Sequence, residues 1–176
     1  MNPHLLRVTG LIALVAAAPL QAVAPPAKPC VSQPELRGMV AYMLPSLARS
    51  VVTRCQASLP ADASLLTRGP QVAAALDNGR LAAYPMARRG FVKFSDEGNA
   101  FVTGLMLRMP EAQMRPIMEA TVQQQLMGSF KVKDCADIDR VFATLQPLPA
   151  DNFVDLVTQV LVVAGRDEKN FSVCAA

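Results

Sequence analysis

Apolar residues recur every three or four positions along the segment that follows Ser32, which is the spacing of one face of an α-helix. The members of this stripe are Leu36, Met39, Val40, Met43, Leu44, Leu47, Val51, Val52 and Cys55. Ser32 and Glu35 stand in a capping-box arrangement around Pro34, so the helix is expected to begin there. Pro45 falls within the stripe without changing its phase, which predicts one kinked helix ending near Ala57.

Helical signals recur along the rest of the chain, each opened by a proline or a capping residue and closed by glycine or proline. They predict helices over residues 70–76, 96–109, 110–128, 135–146 and 151–164, the third of these opening with one short turn. Residues 58–69 are expected to form a loop with short turns, and residues 79–94 are the least helical part of the chain. The turn at 147–149 is short enough to join the last two helices as an antiparallel αα-hairpin.

These elements predict an all-α fold, an irregular helical bundle of about five to six helices with a C-terminal αα-hairpin, stapled by disulfides. No internal repeat is visible, and only residues 90–94 suggest a strand. Residues 33–176 are long enough to bury one core without relying on staples, and we expect them to form a single helical domain.

The first 24 residues have the three parts of a secretory signal peptide. Arg7 precedes an apolar stretch that is too short to span a bilayer of about 30 Å, and the segment ends in an A-x-A cleavage motif at Ala24. Pro25 at the next position disfavours cleavage there, so cleavage after Ala22 or Ala27 and an uncleaved anchor are alternatives. We expect a cleaved leader at 1–24, an extended segment at 25–32, and a mature chain without a transmembrane segment. An alanine- and arginine-rich bacterial composition points to a periplasmic or secreted protein.

Four cysteines in an exported chain of this size predict two disulfides. Cys135 and Cys174 are the easier pair to join, because the hairpin returns the chain towards Cys135. That pairing leaves Cys30 with Cys55, which a continuous helix over 33–57 would hold about 30 Å or more apart. The favoured pairing and the continuous first helix are therefore in conflict, and the sequence leaves the choice open.

The loss of the leader also removes His4, the one histidine of the chain, and no tryptophan is present. Nucleophilic triads with histidine and the usual zinc sites then lack their residues, and no Ser-x-x-Lys motif occurs. We therefore expect no catalytic residue, metal or cofactor. The mature chain has a net charge of +2, which is too mild to indicate a nucleic-acid partner.

Three other features each have a structural and a functional interpretation. Glu111 and Glu119 are candidate paired acids of a hydrolase, although solvated surface acids are the commoner case. Methionines at helical spacing fit core packing, with an adaptable groove or a Cu(I) site as alternatives; they are Met39, Met43, Met106, Met109, Met114 and Met118.

The third feature is a basic and aromatic segment that is a possible interaction surface for an anionic membrane or an acidic partner. It contains Arg88, Arg89, Phe91, Lys93 and Phe94. The competing interpretation is a loop whose phenylalanines pack on the core while its charges face water.

The sequence as a whole favours a binding role over catalysis. The first hypothesis is an interaction module that binds an envelope protein or peptide through a groove between helices. The second is a carrier of a small apolar ligand or lipid, which requires an apolar cavity of at least ~300 Å³. The third is the carboxylate-based hydrolase.

Overall fold

A computed structural model describes residues 30–95, 100–165 and 173–174 of the chain. The predicted leader, the extended segment up to residue 29, and residues 96–99 and 166–172 lie outside the described residues. Within the described part, seven α-helices and one short 3-10 helix form the fold, and no strand longer than an isolated bridge occurs. The all-α prediction is confirmed. The helices are α1 Gln33–Cys55, α2 Ser64–Asp77, α3 Arg80–Phe94, α4 Ala100–Arg108, α5 Glu111–Ser129, α6 Cys135–Leu145 and α7 Ala150–Ala164, and the 3-10 helix is Val132–Asp134.

The first helix, α1, is the central element, and helices α2, α3, α5 and α7 pack around it. It runs without a break through Pro45, as the phase of its apolar stripe predicts. The predicted capping box at its start is present, with the backbone N–H of Ser32 donating to the Glu35 carboxylate at 2.9 Å. Helix α6 packs against α2, and α7 packs against α1 and α2.

The second helix begins six residues earlier than the sequence signal at Gly69-Pro70 indicates. Its first turn is satisfied from a distant part of the chain, because the backbone N–H of Leu65 donates to Asp139 Oδ1 of α6 at 2.6 Å. A side chain 74 positions away thus takes the place of a local capping residue. The expectation of a loop over 58–69 is confirmed for residues 58–63 and is wrong for residues 64–69, which form the start of α2.

Residues 80–94 form a regular helix, α3, although the sequence marked residues 79–94 as the least helical part of the chain. Its packing against α1 overrides the local signals of Pro85 and the aromatic run at its end. The two helices approach very closely where Gly38 faces Met86 and Ala87: a Cβ placed on Gly38 would lie 2.5 Å from Met86 Cβ and 2.9 Å from the Ala87 nitrogen. Only glycine fits at this crossing.

Side chains from α1, α3 and α5 form the largest buried cluster. Its fully buried members include Tyr42, Phe91, Met114 and Met118. The core interpretation of the methionines is confirmed for Met114 and Met118. A second cluster joins α1, α2 and α7, and a third surrounds the disulfide between α1 and α6.

The two disulfides are Cys30–Cys174 and Cys55–Cys135. The favoured Cys135–Cys174 pairing is therefore wrong, and the argument that a continuous α1 separates Cys30 from Cys55 is the one that holds. Cys135 opens α6, which packs on α2 beside the end of α1, so its sulfur meets Cys55. Cys174 instead lies next to the start of α1, where its backbone N–H donates to the Val31 carbonyl at 3.0 Å.

Peptide mapping without reductant should recover Cys30 linked to Cys174 and Cys55 linked to Cys135. Replacing Cys55 and Cys135 together with alanine should lower the free energy of unfolding by about 3–4 kcal/mol, since the bridge closes a long loop in the unfolded chain. Urea denaturation measures this loss. Recovery of a Cys135–Cys174 peptide would contradict the fold, because it would require a different placement of α6.

The substitution Gly38→Ala should destabilise the protein by about 1–3 kcal/mol, because the added methyl group meets the backbone of α3. Gly104→Ala is the matched control: Gly104 is also helical, but a Cβ there has nothing within 4 Å. The control should be neutral or stabilising by up to about 1 kcal/mol. Equal effects of the two substitutions in urea denaturation would show that the α1–α3 approach is not as close as described.

Candidate functional site

An apolar groove runs between α1, α2 and α6 and is closed at one end by Phe153 of α7. Its volume is about 350 Å³. The residues that line it are Leu44, Leu47, Ala48, Val51, Val52, Leu65, Gly69, Val72, Leu76, Asp134, Asp137, Ile138, Val141, Phe142, Leu145 and Phe153. All of these except Asp134 and Asp137 are apolar, and the surface that the groove presents is formed by apolar atoms.

The local sequence explains how each helix faces the groove. The C-terminal half of the α1 stripe supplies Leu44, Leu47 and Val51, each of which remains only partly buried in the fold. Helix α6 presents Ile138, Val141, Phe142 and Leu145 at spacings of three and four. The disulfide between Cys55 and Cys135 fixes the start of α6 to the end of α1 and so fixes one end of the groove.

A second, smaller cleft of about 260 Å³ lies between α1 and α5, beside Ser46, Arg49, Ser50 and Gln123. Its polar side chains bind one another: the Gln123 amide donates to Ser50 Oγ at 2.8 Å, and Arg49 pairs with Asp77 of α2 at 3.1 Å. The cleft therefore has the character of a hydrated seam between helices.

The basic and aromatic segment predicted as an interaction surface lies on α3, and its residues point in different directions. Phe91 is 1% exposed and belongs to the core, while Phe94 is half-buried. Arg88 donates from one nitrogen to the carbonyls of Met106, Leu107 and Met109 at 2.6–3.1 Å and so caps the end of α4. The segment does not form one continuous surface, and of its charged residues only Arg89 is largely exposed.

Lys93 of the same segment binds Glu35 at 2.7 Å and ties the end of α3 to the start of α1. Burial by itself raises the pKa of the Glu35 carboxyl, but hydrogen bonds from Lys93 and Ser32 outweigh it and hold the pKa below its ordinary value. Glu35 is thus ionised at neutral pH and serves the capping box and the ion pair together.

The two candidate acids of a hydrolase lie on one helix, α5, and each is beside an arginine. Glu119 accepts hydrogen bonds from the Tyr42 hydroxyl at 3.0 Å and from Arg80, while Glu111 lies 3.8 Å from Arg115. Eight residues of helix separate their backbones by about 12 Å. A glycosidase requires its two carboxyl groups to face each other across a cleft, whereas these two lie along one helix and each is paired with an arginine.

Tyr42 is the buried centre of this polar cluster. Its hydroxyl also accepts from Arg115 Nε at 3.1 Å, and the guanidinium of Arg80 lies 4.8 Å from its ring centre. Burial, together with the neighbouring Glu119, raises the pKa of the Tyr42 hydroxyl, which keeps the phenol protonated. The cluster connects α1, α3 and α5, and a protonated phenol held in this way supports the packing of three helices rather than acid–base chemistry.

Among the described residues, no group of three or more histidine, cysteine, aspartate or glutamate side chains is placed to hold a metal ion. In the same part of the chain, none of the helices has the length and hydropathy needed to cross a bilayer. Comparisons of the chain with models of protein families, with curated proteins and with solved structures find no match. The apolar groove is the candidate site that the geometry favours.

The substitution Glu35→Gln should destabilise the protein at pH 7 by about 1–2 kcal/mol, because it removes charge-assisted hydrogen bonds but keeps the capping geometry. Since the folded-state pKa of Glu35 lies below its unfolded value, its contribution is present at neutral pH and is lost as the pH falls through the folded pKa. The difference in unfolding free energy between the two proteins should therefore shrink towards pH 3. Urea denaturation at several pH values measures it, and a difference that stays constant with pH would contradict the ion-pair assignment.

Proposed function

We propose that the protein is an exported binding protein whose apolar groove receives an apolar segment of another polypeptide. The observation that carries the proposal is the groove itself, a cavity of about 350 Å³ with 14 apolar lining residues among 16. Two disulfides fit an extracellular or exported protein, and the predicted leader makes the periplasm the expected compartment.

The exposure of one groove wall favours a polypeptide over a small molecule. Val141 lines the groove, yet 58% of its surface remains exposed to solvent. Sites for small molecules bury about 70–90% of the ligand, which requires walls on all sides. A peptide segment needs only its apolar face covered while its other face remains in water, as in the binding of an amphipathic helix to a groove.

The charges at the groove edge indicate the character of the partner segment. Asp134 and Asp137 border the groove, Asp137 is paired with Arg140, and the chain from residue 116 onwards carries eight acidic and five basic side chains. A partner segment with lysine or arginine flanking its apolar residues would place positive charge beside Asp134, and the net negative charge of this half of the chain would favour its encounter.

A small apolar ligand is the second candidate function, because the volume of the groove exceeds the ~300 Å³ at the lower end of ligand sites. An aliphatic chain would fit the lining, whose exposed atoms are apolar. The experiment below separates the two candidates.

The first test is a titration of methyl-labelled protein observed by NMR. Three probes are compared: a 14-residue amphipathic leucine–lysine helix peptide, a leucine–glutamate peptide of the same length, and dodecanol. The lysine peptide should shift the methyl signals of Leu47, Val51 and Leu145 with a dissociation constant below ~100 µM, and the glutamate peptide should bind at least threefold more weakly.

Val141→Asn should weaken binding of the lysine peptide about tenfold, since it places an amide on the apolar wall. Val132→Asn is the matched control, because Val132 is 46% exposed and does not line the groove. Saturable shifts with dodecanol alone would replace the peptide function with the carrier function. An absence of groove shifts with all three probes would overturn both.

A further inference from the structure

Helix α6 forms one wall of the apolar groove, yet it sits shallowly on the rest of the fold. Of its 11 residues only Cys135 is fully buried, while Ile138, Phe142 and Leu145 remain partly exposed. An isolated helix shorter than about 12–15 residues is marginal in water, so α6 depends on its contacts with neighbouring elements. The shape of the groove therefore depends on what holds α6 in place.

The disulfide between Cys55 and Cys135 lies at the centre of these contacts. The cluster around it has three buried residues, of which two are the bridged cysteines and the third is Leu65 of α2. Ile138 and Phe142 of α6 pack against this cluster. The bridge thus joins the α6 wall covalently to α1 at the point where the apolar side of α6 is packed.

Two hydrogen bonds also hold α6, and both lead to α2. Asp139 accepts from the backbone N–H of Leu65 at 2.6 Å, and Gln146, which follows the helix, accepts from Arg68 at 2.9 Å. The second bond is exposed, so water competes for both of its partners and the bond adds little stability. Neither bond connects α6 to α1, which forms the facing side of the groove.

We propose that the Cys55–Cys135 bridge is an oxidation switch for the groove: reduction of this bridge detaches α6 and abolishes binding while the core between α1, α3 and α5 stays folded. The inference rests on the proposed function, because it concerns the regulation of the same site. The buried cluster of that core contains neither cysteine. A newly made chain would then bind its partner only after it has reached an oxidising compartment.

The switch operates by thiol–disulfide exchange, which transfers two electrons. When the bridge forms, the thiols of Cys55 and Cys135 lose two electrons and two protons to an oxidant that carries a disulfide, and that disulfide becomes two thiols. A dithiol reverses the reaction. Its first thiolate attacks one sulfur of the bridge and forms a mixed disulfide, and its second thiol then displaces the bound cysteine.

The two bridges differ in their access to a reductant. Cys55 and Cys135 are 0% and 1% exposed, whereas Cys30 and Cys174 are partly exposed. A dithiol therefore attacks the Cys30–Cys174 bridge first and reaches the other bridge only after α6 has moved. The groove should survive mild reduction for this reason.

Cys55→Ala combined with Cys135→Ala tests the switch without a reductant. Amide hydrogen exchange in α6 should become at least ~100-fold faster, because the bridge no longer opposes detachment. The lysine peptide should bind at least about tenfold more weakly, which corresponds to α6 docked in roughly one molecule in ten. The methyl signals of Met114 and Met118 should persist, because they report on the core between α1, α3 and α5.

Cys30→Ala combined with Cys174→Ala is the matched control. That bridge closes the longer loop, with a sequence separation of 144 against 80, so its loss should lower the global stability at least as much. Exchange in α6 should nevertheless change less than about tenfold and peptide binding less than about threefold, because neither cysteine lines the groove. In the wild-type protein, a dithiothreitol titration with alkylation should label Cys30 and Cys174 first, and binding should be lost only as Cys55 and Cys135 are labelled.

Normal α6 exchange and normal peptide binding in the Cys55→Ala/Cys135→Ala variant would overturn the proposal, as would equal changes in the control. Loss of the Met114 and Met118 signals would also overturn it, because the bridge would then hold the whole fold rather than one wall. A wild-type protein that does not bind the peptide contradicts the proposed function instead. The exchange of α6 still decides in that case whether the bridge holds the wall, since it needs no ligand.

Discussion

The length of α1 is the constraint on which the rest of the structure depends. A helix of 23 residues extends for about 34 Å, so the segments that precede and follow it cannot meet. Each disulfide therefore joins one end of α1 to a distant part of the chain: Cys174 is bonded near the start of the helix and Cys135 at its end. Helices α2, α3, α5 and α7 pack along the sides of α1, and the groove and the smaller cleft are both lined in part by α1.

Polar interactions also hold the other helices at particular points along α1. Glu35 and Lys93 hold α3 at the start of α1, while Tyr42, Arg80 and Glu119 hold α3 and α5 at its middle. In its C-terminal half, α1 is held by the ion pair of Arg49 with Asp77, the hydrogen bond of Ser50 with Gln123 and the disulfide at Cys55, and other apolar side chains of this half line the groove. The candidate groove thus lies against the apolar side of this half of α1.

Much of the fold can be predicted from local patterns, because the apolar stripe and capping box of α1 and the signals of α6 and α7 agree with their packing. The predictions fail where distant residues decide the outcome. The hydrogen bond from Leu65 to Asp139 satisfies the first turn of α2, so that α2 starts before its sequence signal. Close packing of α1 on α3 at Gly38 stabilises α3 across a segment with weak helical signals. A continuous α1 excludes a Cys30–Cys55 bridge, and this part of the disulfide pairing follows from the sequence. The choice between the other pairings depends on the position of α6 beside α2, which no local pattern specifies. The sequence predicts α1 and α6, but it does not predict that their apolar faces leave a groove between them, because that depends on how the helices pack.

The bridge between Cys30 and Cys174 spans a sequence separation of 144 and joins the two ends of the described fold. Tension applied to the chain outside these two cysteines passes from one side to the other through a covalent bond, and the helices between them carry no load. Such a domain would transmit a mechanical force without unfolding. The groove would keep its shape while chain segments outside the two cysteines are pulled, for as long as the surroundings keep the disulfide oxidised.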